Sequence, residues 1–316
     1  MKHNWKITAI LIAMFLVTQV IGLMVINAYT PRTETVIING IEKNITISPE
    51  LPYGMQPPEI KPEISIISII IAFVIAILLI FVLTKIKAKW FLRTWFFIVV
   101  VLALGITLYA LFFYLNIPYA ALLSLLIALP LAFYKIFRQH ILIHNLTELI
   151  IYPGIAAVFV PILNVWTVII LLIAISIYDI WAVWHAGFMQ KMAKFQINQL
   201  KLFAGFFVPY VGKKQREQIK LMKQKYKNQK IPERVLKKKK IKVALAILGG
   251  GDVIFPIIAA GIFLRTFGLL QASLVTLFAT IALLVLFIAA KKGKYYPAMP
   301  FISAGIFIGM LISWMI

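Results

Sequence analysis

Residues Ile241–Leu264 read IKVALAILGGGDVIFPIIAAGIFL, an apolar run broken only by Lys242 near its start and Asp252 at its middle. An ionised carboxylate in hydrocarbon is costly, so its default meaning is a functional group with a partner. A second apolar run, Val165–Ala186, carries the natural partner, Asp179. These are the only two aspartates among 316 residues. A chain that uses Asp nowhere else has little structural reason to bury two in lipid, so they are read as a pair. The bland reading, a helix-packing seam with one incidental acid, leaves the second unexplained.

Composition supports a membrane setting. Hydrophobic residues make up 62% of the chain and the mean hydropathy is +0.97, too apolar for a globule with a solvated surface. The net charge of +22 would suggest nucleic acid in a soluble protein. Here the basic residues cluster between apolar runs, which points to anionic membrane lipids and away from nucleic acid. Cysteine is absent, which excludes disulfides, thiol nucleophiles and cysteine metal sites.

Outward from the two acids, apolar runs long enough to span ~30 Å of hydrocarbon occur at 7–26, 64–84, 94–115, 118–137, 146–163, 165–186, 241–264, 267–290 and 298–316. The expected fold is an all-α polytopic membrane protein with nine transmembrane helices. The first run exceeds a signal-peptide core and is read as a retained span. The fifth is interrupted by Pro153, Gly154 and Pro161, tolerable where neighbouring helices satisfy the freed backbone. Residues 27–62 hold six prolines and scattered Glu, as an extramembrane loop does. Within the loop, Thr35–Ile38 and Ile41–Ile47 flank Asn39-Gly40, a hairpin signal. Asn44-Ile45-Thr46 is a glycosylation sequon there. Three parts follow: residues 1–186 with the first six spans, a basic connection over 187–240, and residues 241–316 with the last three. No internal repeat supports an inverted-repeat transporter.

Charge sets the orientation. With nine spans, 28 of the 32 lysines and arginines fall on one side, and only Arg32, Lys43, Lys61 and Arg265 on the other. Basic residues mark the cytoplasmic side, so the amino terminus is expected inside and the carboxyl terminus outside. Helical geometry then puts Asp179 roughly 10 Å and Asp252 roughly 16 Å from the inner ends of their spans, at similar depth. Gly249, Gly250 and Gly251 allow close helix approach beside Asp252 and weaken the helix locally. Two carboxyls sharing a proton do not readily both ionise, so one serves as base and the other as acid. Such a pair activates water against a carbonyl with no metal or organic cofactor.

Tyr178-Asp179 on span six, Gly249-Gly250-Gly251-Asp252 on span seven and Pro297-Ala298-Met299-Pro300 opening span nine match the YD, GxGD and PAL motifs. Together and in this order, they make the chain resemble the presenilin and signal peptide peptidase family of intramembrane aspartyl proteases. The resemblance implies a presenilin-like fold, catalytic Asp179 and Asp252, a site shaped by Tyr178, Gly249–Gly251 and Pro297–Pro300, and transmembrane proteins as substrates. Met299 departs from the usual Leu, but an unbranched apolar Met fills similar space. Compact size and a composition rich in lysine and isoleucine resemble a prokaryotic, archaeal member. Presenilins, with this connection cytoplasmic, cut substrates whose amino termini face outward, and the charge split matches their orientation.

Other residues carry weaker signals. Tyr178 points about 100° from Asp179 on a regular helix, which suits shaping the pocket. Glu148 reads as an interfacial acid at the inner end of span five. His140 and His144 have metal-pair spacing without a third ligand and read as interfacial histidines, as does His185. Pro256 is expected to kink span seven. In the connection, Met189–Leu202 suits a basic interfacial helix, Phe203–Gly212 a segment dipping into the membrane or covering the site, and Lys213–Lys240 a solvated tether. The alternative function is a proton-coupled transporter carrying protons on the same two aspartates, which would have no need of a PAL-like segment.

Overall fold

The computed structural model describes residues 5–38, 41–47, 49–55, 89–138, 140–184, 204–210, 244–290 and 296–316, with isolated helical positions at 67, 68, 71, 75 and 79. The second expected span, 64–84, lies outside the described residues except at those five positions. Helix α1 is Trp5–Ala28, followed by strands β1 (Arg32–Ile38) and β2 (Ile41–Ile47). Helix α2 is Lys89–Tyr114, and α3 is Ala120–Phe133, continued by a π-type turn over Tyr134–Arg138. Helix α4 is Ile141–Phe159 with a 3-10 extension to Ile162, and α5 is Val165–Trp184. Strands β3 (Gly205–Tyr210) and β4 (Ala244–Gly249) precede α6 (Gly250–Phe267), α7 (Leu269–Ala289) and α8 (Met299–Met315).

Among the described residues, seven helices are long and apolar enough to cross a bilayer, and α8 is a shorter apolar helix of 17 residues. At 1.5 Å per residue α8 spans roughly 25 Å, which suits a slightly thinned or snorkelled end. The expected hairpin forms: β1 and β2 pair antiparallel from Arg32↔Ile47 to Ile38↔Ile41.

Helix α6 is the hub, packing against α1, α4, α5, α7 and α8. Its approach to α1 requires glycine on both sides. A Cβ on Gly22 would lie 2.5 Å from Ile257, and one on Gly261 would lie 2.4 Å from Ile26. Small residues at such a seam let two backbones pack closely where lipid provides no hydrophobic drive. Helix α4 is tied to α2 beside its internal proline. Pro153 has no N–H for the preceding turn, and the Thr107 hydroxyl from α2 donates to the nearby Ile150 carbonyl at 2.7 Å. Large apolar side chains such as Trp166, Trp184 and Trp314 remain on the outer surface, where lipid is their solvent.

One expectation is overturned at the start of span seven. Ala244–Gly249 is a strand, not the first turns of a helix, and pairs antiparallel with β3 from Gly205↔Gly249 to Tyr210↔Ala244. Phe203–Gly212, expected to dip into the membrane or cover the site, contributes that partner strand at 205–210. The cause is local. Three consecutive glycines each disfavour a helix interior by about 1 kcal/mol against Ala, so the helix begins among them and cannot run through them. The side chains then alternate: Ala246 and Leu248 are buried, Leu245 and Ile247 exposed. The helical depth of roughly 16 Å for Asp252 therefore does not apply. The expected helix over Met189–Leu202 and the tether over Lys213–Lys240 lie outside the described residues, as does His185.

Candidate active site

Asp252 occupies the third position of α6, with Gly249 as the N-cap residue and Gly250 and Gly251 as the first two helical residues. A helix N-terminus presents unpaired N–H groups and the positive end of the macrodipole, both favourable to a carboxylate. The Asp252 carboxyl folds back beside Gly249, toward the start of its own helix, as the third residue of a capping box does. A Cβ on Gly249 would approach Asp252 Oδ2 to 3.1 Å. The three glycines differ in their surroundings. A Cβ on Gly250 would lie 2.9 Å from the Tyr152 hydroxyl, whereas one on the exposed Gly251 would meet only the Phe255 ring at 3.6 Å.

Asp179 lies on α5 and is 6% exposed. Its Oδ2 accepts the backbone N–H of Met299 at 3.0 Å. Met299 is the first residue of α8, so this carboxyl also caps a helix N-terminus. Residues 296–298 are non-helical, and Pro297 and Met299 are buried. Pro300 sits at the second helical position, where a missing N–H costs nothing, and lines an apolar groove between α7 and α8. One turn from the carboxyl, Ser176 donates to Ser303 at 3.0 Å and ties α5 to α8 a second time. Tyr178 is half-buried with its ring against Trp181, centroids 6.5 Å apart, beside Asp179.

The sequence-derived residues thus come together from three elements. Helices α5, α6 and α8 are in mutual contact, and the carboxyls of Asp179 and Asp252 are near enough to interact electrostatically. Asp252 keeps an accessible face where Asp179 is enclosed. Among the described residues, no group of three or more His, Cys, Asp or Glu could hold a metal ion.

Gln19 and Tyr152, beside this centre, carry no motif in the sequence. Gln19 on α1 donates to the Val253 carbonyl at 3.1 Å. That carbonyl adjoins the Asp252 carbonyl, which loses its helical donor because Pro256 has no N–H. Tyr152, 1% exposed, packs on Gly250 and sits edge-on to Phe206 of β3 at 5.7 Å. Glu148 is enclosed by protein: it is 1% exposed and ion-paired with Lys135. His144 is held by protein as well: its Nε2 donates to the Gly205 carbonyl at 2.8 Å. His140 is the exposed residue before α4. The only advance signal for these contacts was a polar residue inside an otherwise apolar run.

A family model described as signal-peptide peptidase, presenilin aspartyl protease matches residues 47–316. Two solved structures share the fold. One is titled as a presenilin family intramembrane aspartate protease in a C222 space group; it is 14% identical, with a TM-score of 0.59 and 98% of each chain covered. The other, the same description in a P2 space group, is 17% identical, with a TM-score of 0.57 and 96% of each chain covered. No curated protein matches the chain.

Proposed function

The chain belongs to the signal-peptide peptidase and presenilin family of aspartyl proteases, an integral membrane family, and from that premise we propose that it is an intramembrane endopeptidase using Asp179 and Asp252 as its catalytic pair. The observation that carries the reading is the convergence of two carboxyls, each at a helix N-terminus, from otherwise distant elements. Asp179 accepts the Met299 N–H at the start of α8, and Asp252 sits in the first turn of α6.

The chemistry follows from one shared proton. The ionised member takes a proton from water, whose oxygen attacks the scissile carbonyl carbon, while the protonated member gives its proton to the carbonyl oxygen. The tetrahedral diol then collapses: the C–N bond breaks, the leaving nitrogen takes the proton held by the pair, and a diol hydroxyl gives its proton to the pair, which returns to a single shared proton. Enzyme groups and water supply every atom and electron.

A substrate helix hides its carbonyls in internal hydrogen bonds and must unwind before water reaches one. Unwound backbone is tolerated at membrane depth only where protein or trapped water satisfies it. Strand β4 offers such a place. Gly250 N–H donates to the Ala204 carbonyl, so by the alternation of the ladder Leu245, Ile247 and Gly249 turn their backbone groups away from β3. Gly249 lies beside the Asp252 carboxyl. An extended segment added along β4 would therefore pass the Asp252 carboxyl.

The charge split adds an orientation. With 28 of 32 basic residues on the side of the 187–240 connection, the preferred substrates are single-span proteins with outside amino termini, cut in the cytoplasmic half of the span. Incubating the purified protein with a labelled transmembrane peptide tests the activity. Cleavage that an aspartyl-protease transition-state inhibitor abolishes is expected, and no cleavage, or cleavage indifferent to the inhibitor, overturns it. Matched reporters differing only in insertion direction test the orientation, and equal cleavage of both refutes it. No observation beyond the buried acids favours the transporter alternative.

A further inference from the structure

The two-stranded sheet that leads into Asp252 has two edges, and they are not alike. On β3 the ladder turns Gly205, Phe207 and Pro209 away from β4. At each of these positions at least one backbone group is bonded from α4 or missing. The Gly205 carbonyl accepts from His144 Nε2 at 2.8 Å. The Asn145 side chain meets both backbone groups of Phe207: its Nδ2 donates to the Phe207 carbonyl at 2.7 Å, and its Oδ1 accepts the Phe207 N–H at 2.9 Å. Pro209 has no N–H to offer. A primary amide that donates and accepts at one residue reproduces what a neighbouring strand would supply. On β4, by contrast, no side chain of the described residues bonds the outward backbone of Leu245 and Ile247, and Gly249 has the Asp252 carboxyl beside it.

The clamp is itself held. Lys135, from the π-type turn after α3, pairs with Glu148 and lies 3.4 Å from His144 Nδ1. An ammonium donating to Nδ1 leaves Nε2 as the N–H donor, the tautomer that the Gly205 carbonyl requires. The imidazole also packs on the Phe207 ring, centroids 4.9 Å apart. Two turns further along α4, Tyr152 rests on Phe206 and Gly250. The first turns of α4 therefore grip β3 through its outer edge and inner face together.

We propose that His144 and Asn145 are positioning residues: they bond the outer edge of β3, leave β4 as the receptive edge among the described residues, and lock the register of the sheet that delivers Asp252. Strand β4 runs without a break into Gly249 and α6, so a slip of β3 along α4 moves the carboxyl relative to Asp179. An unpaired second edge would also give an unwound substrate a competing place to pair, away from the acid. This role rests on the protease reading for its catalytic consequence and on geometry alone for the clamp.

Two readouts on the purified full-length protein test it. Amide hydrogen exchange in the substrate-free protein reads the clamp, and mass analysis of products from a transmembrane peptide reads the register. In Asn145→Ala, exchange at Phe207 is expected to rise about tenfold, since two hydrogen bonds are lost. Cleavage is expected to spread from one dominant bond to neighbouring bonds, with kcat falling more than KM rises. His144→Phe keeps the ring contact with Phe207 and loses the bond to Gly205, so it should show a smaller change of the same kind. Should the alanine variant not fold, Asn145→Asp keeps the acceptor for Phe207 N–H, loses the donor, and takes the same two readouts. Unchanged exchange at Phe207, or an unchanged product pattern with wild-type kcat, overturns the proposal. A wild-type protein that exchanges as expected but cleaves no transmembrane peptide refutes the protease reading instead.

Discussion

Replacing Gly250 by Ala puts a methyl group where the Tyr152 ring already is. The new Cβ would lie 2.9 Å from the hydroxyl oxygen, 3.1 Å from Cε1 and 3.3 Å from Cζ. Relief to an ordinary contact requires roughly half an ångström of movement, and overpacking of this kind in a filled interior costs about 1–3 kcal/mol. Tyr152 has nowhere to retreat, being 1% exposed with Phe206 edge-on to its ring. The backbone at Gly250 must yield instead, and Asp252 is two residues further along. Misplacement by ~1 Å can cost 10²-fold in rate, so half of that predicts about a tenfold loss of kcat. Thermal unfolding in detergent and cleavage of a fluorogenic transmembrane peptide read the two effects. Gly251→Ala is the control, because its Cβ meets only Phe255 at 3.6 Å and stability should be unchanged. Tyr152→Phe supplies the rescue: its hydroxyl has no hydrogen-bond partner among the described residues, so removing it should be neutral alone and should recover part of the loss in Gly250→Ala. Wild-type stability and activity in Gly250→Ala, or a double variant no better than the single, would refute the packing argument.

Three further outcomes follow from the surroundings of the site. Removing one partner of the buried Lys135–Glu148 pair, as in Glu148→Ala, should destabilise by about 3–5 kcal/mol, whereas Lys135→Met with Glu148→Leu should recover most of it; thermal unfolding decides, and equal losses in both would contradict the pairing. Gln19→Leu removes the bond to the Val253 carbonyl together with a buried Oε1 that has no partner among the described residues, so stability should change by less than about 1 kcal/mol. Replacing Pro297 and Pro300 by Ala should depress cleavage more than stability, by letting α8 extend past Met299 and withdraw its N–H from Asp179; a parallel fall in both would make the segment structural only.

The membrane class, the hairpin after α1, the family and the elements bearing the two acids were legible because each has a local signal: long apolar runs, an Asn-Gly turn between β-branched stretches, and three short motifs in order. Strands β3 and β4 were not. Ala244–Gly249 is an apolar run of six residues that periodicity does not separate from buried helix, and its strand partner is some forty residues away. The glycine triplet was visible, but it was read as a weak helix when it is the point where a helix starts. Lys135 with Glu148, and Asn145 with Phe207, are contacts between elements with no sequence pattern to join them. A single acid or imidazole near a span end ordinarily sits at the interface, which is all that the sequence indicates for Glu148 and His144. Enclosure by α3, α4 and β3 makes them interior.

The central claim is that one water-activating pair is formed by Asp179 and Asp252, and single-turnover cleavage of a transmembrane peptide by the wild type, Asp179→Asn and Asp252→Asn measures it most directly. Asparagine keeps the shape of each side chain and cannot cycle a proton, so both variants should unfold at the wild-type temperature and yield no product. The wild type should hydrolyse the peptide within the span. Cleavage by either variant at the wild-type rate would contradict the account.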